Sequence, residues 1–463
     1  MSTLTLEVKN KKITVLGLAR SGVAAANLLF KYGAKVTVSD TQPREKLEQF
    51  IAQLSSDKIS VSTSANQVKD IESADLVVIS PGVPSDIPAI LEAQNRNIPV
   101  ISEVELAYQF SQAPWIAITG SNGKTTTTTL IGELLKANWP APVVVAGNIG
   151  VALCTAVQDV PKEGLIVAEI SSFQLETITT FKPFVSLLLN LTPNHLDRYP
   201  DFESYAIAKV RIFEYQDETD FAVLNAADEE SQKYTEHITA KKIFFSKQKE
   251  LDEGIFVKDG TIWVRIGQMN EAVFPTNELS IPGEHNLENA LAAVLVAVCC
   301  GIEPTQLAPV LRTFKGVEHR LEFIRELNGV KYYNDSKATT VVAVMTALKS
   351  LLKPIILIAG GKDKGSDYIP LRELLVEKVK QLILIGEARD KMLTALMGSC
   401  PIVEAESMQH AVETAFQSAE NGDNVVLSPA CSSYDMFTDF EERGRVFKQL
   451  VNSLNGRTEE PKN

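Results

Sequence analysis

From Lys12 onward, short apolar runs alternate with amphipathic stretches almost to the end of the chain. Ile13 to Leu16, Val36 to Ser39 and Leu76 to Ser80 read as buried strands separated by helical segments, a rhythm that predicts parallel sheets covered by helices. The rhythm restarts at Trp115 to Thr119, Val143 to Ala146, Ile166 to Ile170 and Val185 to Asn190. It restarts again at Val330 to Tyr333, Ile355 to Ala359, Leu382 to Ile385 and Val425 to Ser428. Between the last two series, an Ala-rich helix from Leu287 to Cys300 leads through Gly301 and Pro304 to a polar linker, Thr313 to Arg320. The expected architecture is α/β in three domains: residues 1–102 Rossmann-like, 103–316 central and P-loop-type, and 317–463 Rossmann-like again, ending in a disordered polar tail from Arg457. A single core rarely serves more than about 250–300 residues, and the chain has 463.

The formal charge of −13 opposes non-specific attraction to nucleic acid or anionic lipid. No apolar run reaches the roughly 18 residues of a membrane span, and the first ten residues lack a secretory pattern, so a cytoplasmic location is expected. Five cysteines without a CxxC spacing suggest buried free thiols, not zinc ligands or disulfides.

Thr119-Gly-Ser-Asn-Gly-Lys-Thr-Thr126 joins a buried strand to a helix start. There the backbone N–H groups of Gly120, Ser121, Asn122 and Gly123 would converge on an anion, with Lys124 neutralising phosphate charge and Thr125 reaching Mg²⁺. The common GxxxxGK[ST] spacing would place glycine at Ile118, so this is a variant loop. Nearer the N-terminus, Gly17 to Gly22 follows a strand and opens a helix, and Asp40 closes the next strand, a spacing suited to a nucleotide. Ala19 replaces the glycine that admits a dinucleotide pyrophosphate, which disfavours a nicotinamide oxidoreductase.

With these loops in hand, the chain resembles the Mur ligases nearly end to end. The segment Glu169-Ile-Ser-Ser-Phe-Gln-Leu-Glu176, together with Ser428-Pro-Ala-Cys-Ser-Ser-Tyr-Asp435 and Phe440-Glu-Glu-Arg-Gly444, is similar to the branch that adds D-glutamate. The resemblance implies an ATP-dependent amide ligase acting on UDP-N-acetylmuramoyl-L-alanine and D-glutamate through an acyl phosphate, in peptidoglycan precursor synthesis, as a monomer. It implies that Lys124, His195 and Lys209 are catalytic. Mg²⁺ would be held by Thr125, Glu169, His195 and a CO₂-derived carbamate on Lys209, although spacing alone reads Lys209 as a solvated helix lysine. ATP would meet the loop from Gly120 to Thr126, Asn286 and Asn289, Arg320, Asp335 and Lys337; by sequence alone Asn286 could simply cap its helix. The UDP moiety would meet Ala19, Arg20, Asp40, Thr41, Gly82 and Asn148. D-glutamate would be gripped by Thr339, Lys364, Ser433 and Phe440. Two positions depart from the resemblance: Gln42 stands where relatives often carry arginine, and Asn194 where they commonly carry an acid. The resemblance further implies that domain closure completes the site. Other amide ligases, such as folylpolyglutamate synthetases, and a non-catalytic nucleotide-sugar sensor are the rival readings.

Overall fold

The computed structural model describes residues 6–64, 67–195, 198–281 and 283–455; the expected tail from Arg457 lies outside them. The described residues form three sheets, in two compact units. The first unit comprises the chain up to Leu279 together with Leu287–Arg312, and the second comprises Ser280–Asn286 and the chain from Thr313.

The first unit holds two sheets. The N-terminal one is wholly parallel, in the order Ser60–Ser62, Lys35–Ser39, Lys12–Leu16, Leu76–Ile79, Val100–Ser102. The chain reverses direction across this sheet between Lys12–Leu16 and Leu76–Ile79, which opens a crevice at their carboxyl ends where ligands of such sheets bind. In the second sheet the parallel core runs through Val143–Gly147, Leu165–Glu169, Trp115–Thr119, Val185–Leu188, Phe221–Asn225 and Lys241–Ser246. Its central strands are buried on both faces, which is why they read as unbroken apolar runs. The sheet is extended by Gly254–Lys258, Thr261–Ile266 and Met269–Pro275, the last two antiparallel additions. One continuous apolar core, including Val38, Leu106, Trp115, Leu153, Ala168 and Phe181, joins the two sheets.

Glu105, completely buried, is a second tie within this unit. Its carboxylate accepts the backbone N–H groups of Thr179, Thr180 and Phe181 at 2.9, 3.1 and 3.1 Å. It thereby satisfies three donors of a loop that has no ladder of its own.

The second unit is a six-stranded sheet in the order Glu322–Leu327, Val330–Asn334, Asn424–Leu427, Ile355–Gly360, Val379–Ile385, Ile402–Glu404, parallel apart from its first strand. All five cysteines are free, as expected, but only Cys154 and Cys431 are buried as residues, the others being partly exposed.

Candidate active site

Strand Trp115–Thr119 ends where the chain must turn sharply into helix Lys124–Asn138. The turn uses two glycines that cannot be replaced cheaply. Gly120 has φ +147°, and a Cβ there would lie 2.9 Å from that of Leu189; Gly123, the residue before the helix, has φ +84°, and its Cβ would lie 2.4 Å from Asn289 Oδ1. The loop is stitched to the neighbouring strand end: Ser121 N–H donates to Asn190 O at 3.0 Å, Asn122 N–H to Asn190 Oδ1 at 2.9 Å, and Ser121 Oγ to Thr192 O at 2.9 Å. Lys124 folds over it, its ammonium donating to the carbonyls of Gly120 at 2.8 Å and Ser121 at 3.1 Å. The loop thus brings a cation to the N-terminal turn of the helix, with Thr125 buried in the first turn and Thr126 half-buried.

Beside this loop lie two buried groups whose environments are unusual. Glu169 is 1% exposed at the end of its strand; Oε1 accepts Asn148 Nδ2 at 2.9 Å, while Oε2 has no hydrogen-bond partner. Lys209, near the end of helix Phe202–Val210, is 2% exposed, and its amine donates to Thr119 Oγ1 at 3.3 Å. This corrects the solvated-lysine reading. Burial, reinforced by the positive charge of Lys124, holds the Lys209 amine well below the usual lysine range, with Glu169 pulling the other way. A carboxylate oxygen buried without a donor suits a hard cation, and an amine whose neutral form is favoured by burial is a nucleophile able to capture CO₂. Among the described residues no trio of His, Cys, Asp or Glu could hold a metal, so protein carboxylates alone do not complete such a site.

His195 sits in an exposed loop with φ +53°; its backbone N–H donates to Asn194 Oδ1 at 2.9 Å, and its ring stands edge-on to Phe173 at 4.9 Å. In helix Glu284–Cys299, Asn289 accepts from Thr127 Oγ1 at 3.1 Å. Asn286 lies inside the first turn of that helix, which begins two residues earlier, so it is not the cap that spacing allowed.

The crevice of the N-terminal sheet is a cleft of about 500 Å³, and it gathers Ala19, Arg20, Asp40, Thr41, Gly82 and Asn148, all six residues the resemblance assigned to UDP. Asp40 holds the cleft's own backbone, accepting Leu18 N–H at 2.7 Å and the N–H of Gln42, the departing residue, at 2.8 Å. Arg20 donates to Gly150 O at 2.8 Å and Gly147 O at 3.0 Å, joining the cleft to the second sheet. Gln174, quoted only as part of the Glu169 to Glu176 motif, also lines it.

In the second unit Asp335 accepts Leu321 N–H at 3.1 Å and Ser428 Oγ at 2.7 Å, and burial raises its carboxyl to about 7. Arg320 is flanked by two residues in the left-handed region, His319 at φ +64° and Leu321 at φ +44°. Lys337 lies over the Phe440 ring at 5.3 Å, and Thr339 N–H donates to Lys337 O at 2.9 Å. Lys364 is exposed, whereas Ser433 is buried. Arg443, quoted only as part of a motif, organises these loops. Its buried guanidinium donates to the carbonyls of Ser336 at 2.8 Å, Cys431 at 3.1 Å and Ser432 at 3.2 Å, and burial lowers it to about 10.

Comparison with known proteins bears on the whole of this arrangement. Residues 11–102 match the model of the Mur ligase MurD-like N-terminal domain, 118–297 that of the Mur ligase middle domain, and 319–431 that of the Mur ligase glutamate ligase domain. A UDP-N-acetylmuramoylalanine–D-glutamate ligase of Thermoanaerobacter sp. (strain X514) is 46% identical over 453 residues, 97% of this chain and 100% of that protein. The protein of the same name from Koribacter versatilis (strain Ellin345) is 45% identical over 97% of this chain and 99% of its own. Among solved structures, a UDP-N-acetylmuramate-alanine ligase, MurC, from Thermotoga maritima shares the fold at TM-score 0.59 and 19% identity, covering 96% of this chain and 100% of that one. With three consecutive domain models matched and relatives this similar along nearly its whole length, the chain belongs to the Mur ligase family, with the N-terminal domain of its MurD-like branch.

Proposed function

We propose that the chain is an ATP-dependent ligase that forms the amide between UDP-N-acetylmuramoyl-L-alanine and D-glutamate, a cytoplasmic step in peptidoglycan precursor synthesis. The single observation that carries this reading is the near end-to-end similarity to proteins of that name. The cleft that gathers all six residues the resemblance assigned to UDP supports it.

The alanyl carboxylate is a poor electrophile. One of its oxygens attacks the γ-phosphorus of ATP, ADP leaves, and an acyl phosphate forms. The D-glutamate amine then attacks the acyl carbon, the amine gives up a proton, and inorganic phosphate departs from the tetrahedral intermediate. Charge builds on phosphoryl oxygens throughout, so stabilisation is the work of cations and oriented N–H groups. Lys124 and the loop from Gly120 to Thr126 hold the transferring phosphate. The hydroxyl of Thr125, the open oxygen of Glu169 and a carbamate on Lys209 would hold Mg²⁺, with His195 beside them. When bound, that ion supplies charge neutralisation at the phosphoryl oxygens. Asn286, Asn289, Arg320, Asp335 and Lys337 are assigned to ATP, and Thr339, Lys364, Ser433 and Phe440 to D-glutamate, by the motifs they occupy. Each oxygen of Asp335 keeps a lone pair beyond the hydrogen bond it already accepts, enough for a ribose hydroxyl.

The test is phosphate release from ATP with UDP-N-acetylmuramoyl-L-alanine and one amino acid at a time. Release with D-glutamate, and background rates with L-glutamate, D-alanine and diaminopimelate, is the expected result. Turnover with another acceptor and none with D-glutamate overturns the reading.

A further inference from the structure

Three residues beyond His195, the guanidinium of Arg198 makes contacts that no step of the reaction uses. Its Cζ lies 3.9 Å from the centre of the Phe173 ring. Nη2 donates to Glu176 Oε2 at 3.3 Å and to Val83 O at 3.3 Å, and Nη1 to Pro81 O at 3.4 Å. Pro81 to Val83 is a wall of the 500 Å³ cleft, whereas Phe173 and Glu176 belong to the segment that follows Glu169 in the second sheet.

The far side of this junction leads to His195. The Phe173 ring meets the His195 ring edge-on at 4.9 Å and stacks on Tyr199 at 5.8 Å, and the Tyr199 hydroxyl donates to Glu176 Oε1 at 2.6 Å. The backbone N–H groups of Arg198 and Tyr199 both donate to His195 O at 3.0 Å, tying Arg198 to His195, whose φ is +53°. Arg211 closes the network from below, donating to the carbonyls of Leu175, Glu176 and Ile178. One planar side chain therefore spans the cleft wall, an aromatic ring and a carboxylate at once. A lysine ammonium, with a single nitrogen, cannot stack and serve both carbonyls and Glu176.

We propose that Arg198 is a positioning residue that sets the register between the cleft wall and His195, so that a substrate anchored by its nucleotide presents its far carboxylate at the phosphate loop. The inference rests on the ligase reading. A displacement of about 1 Å at a reacting centre costs on the order of 100-fold in rate, so loss of this brace is visible in kcat even where folding is intact.

The experiment compares the wild type with R198K, R198M and E176Q by steady-state kinetics for each substrate and by thermal melting. R198K is expected to lower kcat about 10- to 100-fold and to raise KM for UDP-N-acetylmuramoyl-L-alanine severalfold. KM for ATP should stay within about twofold, R198M should be worse in the same pattern and E176Q milder. A merely structural arginine would shift both KM values together, in step with the melting temperature. That outcome, or R198K equal to wild type, overturns the proposal; R198K and E176Q decide it if R198M does not fold. A wild type that releases no phosphate sinks the ligase reading instead. The brace is then judged by thermal stabilisation with the UDP substrate, which R198K must weaken for the proposal to stand.

Discussion

Replacing Lys209 by methionine is expected to stabilise the first unit while ending catalysis. The amine is almost wholly buried, faces a hydroxyl at 3.3 Å, and is held well below the lysine range by burial and by Lys124. An ordinary lysine has a pKa of about 10.4, and each unit by which burial lowers it adds about 1.4 kcal/mol to the cost of folding at a pH below the folded-state value. Because the folded-state value is the lower one, the unfolded chain binds the extra proton between the two. Stability therefore rises with pH across that window and is complete only above the unfolded value. Methionine fills the same channel without a proton to lose. The lost hydrogen bond to Thr119 offsets about 1 kcal/mol of the gain, so a depression of a single unit already balances it, and each further unit adds about 1.4 kcal/mol, or roughly 2 °C in Tm for a compact unit of this size. Calorimetry in CO₂-free buffer at pH 7 and pH 10 reads the effect, which should shrink at the higher pH. Bicarbonate should raise the Tm of the wild type alone. A K209M variant less stable than wild type at pH 7 would show that the amine is charged and paired, and a gain independent of pH that its protonation is not linked to folding; either would refute the reasoning.

Three further substitutions probe other parts of the account. Gly123→Ala forces an L-residue to φ +84° against Asn289 Oδ1; at about 1 to 2 kcal/mol for the left-handed backbone, KM for ATP should rise about tenfold in steady-state assays with the UDP-substrate KM unchanged. Glu105→Ala leaves three backbone N–H groups unanswered and should cost about 3 to 5 kcal/mol in urea unfolding; a loss under 1 kcal/mol would contradict the role given to that carboxylate. Glu103, 1% exposed, is raised by burial to about 7 while Oε1 accepts Cys154 N–H at 2.8 Å. Its stabilising contribution is full below the unfolded value of about 4.3 and is lost as pH rises through about 7. Glu103→Gln keeps the acceptor without ionising, so its melting temperature should match wild type near pH 4.5 and exceed it at pH 8, by about 3 kcal/mol in stability.

What the sequence showed and what it hid have the same physical origin. Parallel strands covered on both faces are apolar throughout, so Trp115–Thr119 was legible to the residue and Lys12–Leu16, Leu165–Glu169 and Ile355–Gly360 to within one. The antiparallel extension from Gly254 to Pro275 was not placed. Its last strand, Met269–Pro275, alternates exposed and partly buried residues up to a single buried one, Phe274, and only the turn signals at Asp259-Gly260 and Gly267 announce it. The six residues that line the cleft were assigned through the family resemblance; on their own, only the Gly17 to Gly22 turn, Asp40 at its strand end and the turn at Gly82 carry a local signature. Lys209 gave no such signal: its burial is made by Thr119, ninety positions away, and by Tyr205. Glu105, Arg198 and Arg443 likewise act on partners distant in the chain, and nothing in their immediate neighbours distinguishes them from solvated charges.

In the proposed reaction the γ-phosphoryl group passes to the substrate's carboxylate before the amide forms. The most direct measurement uses UDP-N-acetylmuramoyl-L-alanine labelled with ¹⁸O in that carboxylate, with ATP and D-glutamate, and mass analysis of the phosphate released. One ¹⁸O atom in each phosphate, formed only when D-glutamate is coupled, is the predicted result. Phosphate free of label from a reaction that still makes the amide would contradict it.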